Sequence, residues 1–154
     1  SFSNSFASRA RFGGGVLAAY AREQQAAFER ALVEADGPPL ERLRRLFDRL
    51  VEGEREAGFG RGCLAGNLGQ EMAATAPEFR EVLEEHFRRL QSILAEVLFE
   101  AQQAGDLDAR LDPAELAGFV YQAWQGALLR MKATRTDRPL QQFRQVAFGV
   151  LLRS

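Results

Sequence analysis

The chain has 154 residues, of which 46% are hydrophobic and 27% charged, and its formal net charge is −1. Such a chain can bury a core as one folded domain, which excludes a disordered protein and one held on nucleic acid or an anionic membrane by overall basic charge. The single cysteine, Cys63, cannot form an internal disulfide. Because no apolar run approaches the ~18 residues of a membrane span and no signal peptide opens the chain, the sequence predicts a cytoplasmic protein.

Helical spacing of apolar residues begins near the start of the chain, over residues 8–35, with Ser8 suited to the N-cap. The glycines at 13–15 interrupt it, and each costs about 1 kcal/mol relative to alanine in a helix interior. We therefore expect the first turns to fray unless another element packs on them. Asp36-Gly37-Pro38-Pro39 then predicts a turn between the first and second helices, since glycine suits a helix end and proline a first turn.

The second predicted helix has an apolar stripe with charged residues between its members. The stripe consists of Leu40, Leu43, Leu46, Phe47, Leu50 and Val51. Arginines such as Arg42 and Arg49 alternate with acidic residues such as Glu54. We interpret these charges as a solvated face rather than a phosphate-binding site, because the two signs are interleaved.

The stretch 62–74 is predicted as a short helix with an unusual polar face. Its members Cys63, Asn67, Gln70 and Ala74 share one face, while Leu64, Leu68 and Met72 share another. Polar groups beside the only cysteine indicate a pocket wall, and Asn67 is the amide that we assign to it. Gly66 and Gly69 weaken the helix, which is consistent with the close approach of a ligand or another backbone.

Cys63 is the candidate reactive group of this stretch. At a helix N-terminus and near Arg61, its thiolate is favoured by unpaired backbone N–H groups and by positive charge. Such a thiolate can add to an unsaturated electrophile or be oxidised to a sulfenic acid. The alternative, a small buried hydrophobic residue, is the commonest state of a free cysteine and stays open.

Strong start and stop signals define the last three predicted helices. Thr75-Ala76-Pro77-Glu78 is a capping box that opens the longest helix, which ends near Ala104 with Gly105 after it. Asp112-Pro113 opens a helix to about Thr134, and Pro139 begins the last one. Apolar residues cover more than one face of these last two helices, which predicts either a symmetric dimer with a four-helix bundle or a central position in a monomer.

Three further residues are candidate pocket residues. His86 is the only histidine and lies on the apolar face of the longest helix, without partners at metal-ligand spacing. Tyr121 and Trp124 suit a pocket floor, since each has an apolar ring with one polar atom, but core packing explains them equally well. The predicted ligand-binding residues are Cys63, Asn67, His86, Tyr121 and Trp124; no catalytic residue, metal site or cofactor is predicted.

Two stretches resemble the TetR family of transcriptional repressors. Residues 1–13 resemble that family's pattern S-F-Y-x-Y-F-x-S-K-E-x-F-G at the end of the recognition helix, with serines at positions 3 and 5 and Arg-Ala at 9 and 10 as departures. Residues 61–72, together with Trp124-Gln125-Gly126-Ala127, are similar to the regulatory domains of members that respond to acrylate or reactive electrophiles.

This resemblance implies an all-α, TetR C-terminal-like bundle of about six helices that dimerises through the last two. Residues 1–8 would be a remnant of the DNA-binding domain, and residues 9–154 the ligand-binding and dimerisation domain of a homodimer. We therefore expect the chain to be a fragment whose missing N-terminal helix-turn-helix binds operator DNA until a small effector releases it. Two alternatives stay open: a thiol-dependent enzyme that uses Cys63 and His86, and a helical dimerisation module without a ligand.

Overall fold

The computed structural model describes residues 2–62, Asn67 and 77–153, with side chains from Gly15 onward. This part of the chain forms five α-helices and no strand, so the predicted all-α class is confirmed. The helices are α1 Phe2–Leu32, α2 Pro39–Glu56, α3 Pro77–Gln103, α4 Pro113–Thr134 and α5 Arg138–Val146, and a π-helical turn Ala147–Leu151 follows. The predicted short helix over 62–74 lies outside the described residues, except for Gly62 and Asn67.

Helix α1 begins at Phe2 and its backbone is helical through the glycines at 13–15. The predicted N-cap at Ser8 and the predicted interruption are therefore wrong. The part of the helix that follows the glycines is anchored in the core, where Leu17, Phe28 and Leu32 are buried. Each such side chain contributes roughly 1.5–3 kcal/mol by burial, which exceeds the helix cost of a glycine.

The predicted turn before α2 and the predicted caps at Gly105 and Asp112 lie where the sequence indicated, whereas the predicted cap Thr75 lies outside the described residues. Gly37 has a φ of +108° in the turn before α2, and Pro39 begins that helix. Gly105, with a φ of +83°, follows α3. The Asp112 carboxylate accepts a hydrogen bond from the backbone N–H of Ala114 at 2.9 Å and caps α4. These boundaries are confirmed because each depends on a local conformation that few residue types adopt.

An aromatic cluster fixes α2 against the last two helices. The ring of Phe47 in α2 lies 5.1 Å from Trp124 in α4 and 5.0 Å from Phe143 in α5, measured between ring centroids. Trp124 and Phe143 also contact each other edge to face, at 5.3 Å. The face of α2 opposite the solvent is therefore bound to both helices that follow α3.

Two charged residues of α2 are buried, which corrects the prediction that its charges form a solvated face. Arg42 is 4% exposed and donates to the carbonyl oxygen of Leu32 and, at 2.6 Å, to a carboxylate oxygen of Glu100. It thereby satisfies a carbonyl left unpaired at the end of α1 and joins α1, α2 and α3. Glu54 is 6% exposed and lies beside the cavity described below.

Apolar surface is left over on α4, α5 and the π-helical turn, as predicted. Phe119 and Leu129 of α4 are each 58% exposed, Val146 of α5 is 46% exposed and Val150 is 64% exposed. Phe119 and Val146 border a groove of about 250 Å³ between the two helices. In the described residues, no helix is long and apolar enough to cross a membrane.

Candidate functional site

A cavity of about 450 Å³ lies between α1, the C-terminal half of α2, α4 and the segment that follows α2. Its apolar wall includes Leu50 of α2 together with Trp124 and Leu128 of α4. Its polar wall includes Gln24, Arg49, Glu54, Arg61, Asn67 and Gln125. The volume and the mixture of apolar and polar groups are those of a small-molecule site.

Trp124 belongs both to the core and to the cavity wall. It is 4% exposed, and its ring packs against Phe47 and Phe143 on one side while it borders the cavity. Tyr121, one turn earlier in α4, is 3% exposed with its ring 5.8 Å from Phe87, and it lies outside this wall. The structure thus separates the two aromatic residues that the sequence grouped together.

His86 of α3 lies behind the cavity wall rather than on it. The residue is 1% exposed, and its ring contacts two consecutive glutamines of α1. Nε2 lies 2.8 Å from Oε1 of Gln24, and Nδ1 lies 3.3 Å from Nε2 of Gln25. Burial lowers the pKa of His86 from 6.5 to about 4, so the imidazole is neutral near pH 7. Two residues that line the cavity contact His86: Gln24 through the hydrogen bond to Nε2, and Tyr20, whose ring centroid lies 6.4 Å from that of the imidazole.

Asn67 links the segment that follows α2 with helix α4. Its Nδ2 donates to the carbonyl oxygen of Arg61 at 2.8 Å, and its Oδ1 accepts from Nζ of Lys132 at 3.1 Å. Asn67 lines the cavity as predicted for a pocket wall, although its side-chain atoms are also used to hold this segment.

Gly62 sits where a side chain does not fit. Its φ is +66°, and a Cβ atom built there would lie 2.9 Å from Cδ of Lys132. The Gly62 N–H donates to Oε2 of Glu54 at 3.2 Å, while Oε1 of Glu54 lies 3.8 Å from a guanidinium nitrogen of Arg61. Glu54 is therefore buried because it satisfies a backbone donor and an arginine of the adjacent segment.

Cys63 lies outside the described residues, directly after the cavity-lining Gly62. Among the residues whose side chains are described, no group of three His, Cys, Asp or Glu is placed to hold a metal ion.

Sequence reasoning missed Gln24 and Glu54 as cavity residues. A signal for Gln24 was present, because it lies four residues after Tyr20 and four before Phe28, within the buried face of α1. A polar residue in an apolar stripe marked His86 as a candidate, and the same pattern marks Gln24. Glu54 has no such signal, since the last turn of a charged amphipathic helix normally faces solvent.

Comparison with known proteins identifies the chain's relatives. Residues 39–147 match the family model described as tetracyclin repressor-like, C-terminal domain. The chain is 36% identical over 154 residues to the HTH-type transcriptional repressor DhaR of Mycobacterium sp. (strain GP1), covering 100% of this chain and 76% of DhaR. It is 40% identical over 144 residues to the transcriptional regulator AcuR of Cereibacter sphaeroides, covering 93% of this chain and 65% of AcuR.

Solved structures share the fold. A crystal structure of the regulatory protein TetR from Rhodobacter sphaeroides is 38% identical, with a TM-score of 0.83 over 90% of this chain and 72% of that one. The reduced form of NemR from E. coli is 20% identical, has a TM-score of 0.82 over 93% of this chain and 75% of that one, and shows the fold alone. From the match over residues 39–147 and the relative at 36% identity, the chain belongs to the TetR family of transcriptional regulators.

Proposed function

We propose that the chain is the regulatory domain of a TetR-type repressor and that its effector, a small molecule, binds in the cavity between α1, α2 and α4. The cavity itself is the observation that carries this proposal. It has a volume of about 450 Å³ and an apolar wall that includes Trp124, with polar groups from three elements around it. Pockets of this kind bind small molecules by burying an apolar body and orienting it through a few hydrogen bonds.

The proposed partner of the chain is a second copy. The exposed apolar side chains of α4 and α5, among them Phe119 and Val146, provide a face that a symmetric dimer would cover as a four-helix bundle. The monomer alternative leaves these side chains in water, because both helices lie at the edge of the core with this face outward.

Operator binding belongs to the proposal for the whole protein. The chain spans 76% of DhaR and 65% of AcuR, and we assign DNA contact to a helix-turn-helix region that precedes residues 9–154, with residues 1–8 at its end. An effector that binds one dimer arrangement more tightly shifts the population towards it, and this weakens operator affinity by linkage. The intact repressor would act in the cytoplasm.

We further propose that the effector is a small unsaturated or carbonyl compound and that Cys63 is its covalent acceptor. Arg61 and Gly62 border the cavity, and Cys63 is the next residue in the sequence. In the reaction, the thiolate sulfur forms a bond to the β-carbon of the unsaturated carbonyl compound. The π electrons of the C=C bond move to the α-carbon, which takes a proton from water.

The structure offers less support for the two alternatives. An enzyme with a Cys63 and His86 pair needs a basic imidazole with a free nitrogen, whereas both ring nitrogens of His86 contact glutamines and burial lowers its pKa to about 4. A dimerisation module without a ligand predicts a fully packed interior, and the cavity beside Trp124 argues against it.

Intact-mass spectrometry tests the covalent form of the proposal. Wild type and Cys63→Ser are exposed briefly to acrylate-like and quinone-like electrophiles near neutral pH, and a single rapid adduct on the wild type alone is expected. Trp124 is the only tryptophan, so its emission reports reversible occupancy of the cavity in the same samples. If saturated analogues leave that emission unchanged and no adduct forms, the proposed site is wrong.

A further inference from the structure

A hydrogen-bonded network of three polar side chains leads from α3 to the cavity wall. His86 lies between Gln25 and Gln24, and of these three residues only Gln24 borders the cavity. The direction of the hydrogen bonds in this network decides whether Gln24 presents its NH2 group or its carbonyl oxygen to a ligand.

Both contacts of the imidazole indicate the same tautomer. Nε2 of Gln25 lies 3.3 Å from Nδ1 of His86, and an amide NH2 group can only donate, so Nδ1 accepts. A neutral imidazole then has its proton on Nε2, which lies 2.8 Å from the carbonyl oxygen Oε1 of Gln24. Gln25 therefore fixes the ring, and the ring fixes the Gln24 amide.

This orientation leaves the NH2 group of Gln24 as the part of the amide that it can offer to the cavity. Other side chains on the wall are donors as well, because Arg49, Arg61 and the indole of Trp124 have N–H groups and no acceptor atom. The carboxylate of Glu54 faces the N–H of Gly62 at 3.2 Å. The wall around Gln24 is accordingly rich in hydrogen-bond donors.

We propose that Gln24 is a ligand-binding residue whose amide NH2 donates to an acceptor oxygen, carbonyl or carboxylate, of the effector, and that His86 and Gln25 are positioning residues that fix this orientation. The inference rests on the proposed effector cavity and adds the polarity that the effector must have. A ligand that presents only donors opposite Gln24 binds less tightly, because it leaves the donors of both partners unpaired there.

The first test is the tautomer of His86 in the wild-type chain. Because His86 is the only histidine, the ring nitrogen shifts of a 15N-labelled sample at about pH 7 belong to this residue. We expect a protonated Nε2 and an unprotonated Nδ1. A protonated Nδ1, or an average of both tautomers, reverses or removes the fixed orientation and overturns the proposal.

The second test measures binding with saturated probes, which cannot react with Cys63. Propanoate supplies a carboxylate, butanone a neutral carbonyl and propylamine only donors; binding is followed by the Gln24 side-chain amide and the Trp124 indole resonances. We expect one or both acceptor probes to shift both resonances and propylamine to shift neither. The probe with the larger effect tells a carboxylate effector from a carbonyl one, whereas an equal response to propylamine overturns the proposed polarity.

Gln24→Glu replaces the amide donor with an acceptor of the same shape. The matched control is Gln125→Glu, which places the same charge on the same wall but outside the hydrogen-bonded network of His86. We expect Gln24→Glu to lower the affinity for the acceptor probe about tenfold or more, and Gln125→Glu to lower it clearly less. Equal losses in both variants would overturn the role of Gln24. If no probe shifts the Trp124 resonance although His86 has the expected tautomer, the cavity is not an effector site and the proposed function is wrong. The proposed polarity of the wall is wrong only if probes bind without the expected preference for acceptors.

Discussion

The Asn67 amide oxygen accepts a hydrogen bond from the Lys132 ammonium group at 3.1 Å, and this contact ties the segment after α2 to the last turn of α4. The alkyl chain of Lys132 also lies directly under Gly62. Since α4 contributes both Trp124 to the cavity and Phe119 to the exposed apolar face, one helix connects the proposed effector site with the proposed dimer face.

Lys132→Met should weaken this connection while its side chain still covers Gly62. Loss of one partly buried hydrogen bond predicts a free energy of unfolding lower by about 1 kcal/mol, measured by urea denaturation. Amide exchange at residues 60–62 should accelerate as well. Unchanged exchange there would show that the Lys132 contact does not hold the segment.

Gly62→Ala should destabilise the chain by about 1–2 kcal/mol, since an L-residue at a φ of +66° is strained and its Cβ atom would lie 2.9 Å from Lys132 Cδ. Gly15→Ala is the matched control. Gly15 lies within α1 and a Cβ atom built on it meets no atom within 4 Å, so this change should stabilise the helix by roughly 0.5–1 kcal/mol. Opposite signs in urea denaturation are expected, and equal effects would contradict the conformational argument.

Arg42→Met should lower the free energy of unfolding by about 1–3 kcal/mol, because it leaves the Leu32 carbonyl oxygen buried without its donor. The control Glu100→Gln removes the carboxylate charge that pairs with Arg42. Glu100 is 56% exposed, so this control should cost less than about 1 kcal/mol. Similar losses in both variants would assign the stabilisation to the ion pair instead of to the carbonyl at the end of α1.

The boundaries of α2, α3 and α4 were predictable from sequence, whereas the start of α1 and the partners of the polar residues were not. Gly105 and Asp112 occupy positions whose backbone conformation or orphan N–H groups restrict the residue type, so local sequence determines them. Arg42 was predicted to face water because helical periodicity gives a direction around α2 but not which neighbouring helix end lies there. The burial of Arg42 follows from the position of Leu32, which depends on the turn between α1 and α2.

The same limit applies to the positions of the candidate site residues. Trp124 and Asn67 lie on the cavity, His86 lies one residue behind it, and Tyr121 lies in the core. His86, Tyr121 and Trp124 share the pattern of a polar group on an apolar face, which does not distinguish a residue that meets a cavity from one that meets another side chain. The role of Cys63 stays a prediction.

His86 should give the stability of the chain a defined pH dependence. The folded pKa is lowered to about 4 from an unfolded value of 6.5, so the unfolded state binds the proton more readily. The associated stability is fully present above about pH 6.5 and is lost as the pH falls towards 4, by up to about 3 kcal/mol. Asp108, whose pKa is lowered from 3.8 to about 2 by its hydrogen bonds with Arg110, acts only at lower pH.

Urea denaturation of wild type and His86→Gln at several values between about pH 7 and pH 5 checks this dependence. The loss of stability over this range should be smaller in the variant by an amount that grows as the pH falls. Parallel curves for the two proteins would show that His86 is as easily protonated in the folded chain as in the unfolded one.

The exposed face of α4 and α5 provides a test of self-association. Val146→Glu and Phe119→Glu each place a charge in a face that a dimer would bury, where an unpaired charge costs several kcal/mol. Sedimentation equilibrium should therefore show a dimer for the wild type and a dissociation constant raised at least about a hundredfold in each variant. Phe99→Glu is the matched control, because Phe99 of α3 is 53% exposed and lies outside this face. If Phe99→Glu dissociates the dimer and Val146→Glu does not, the two copies meet through α3, and the connection from the cavity through α4 to the partner is lost.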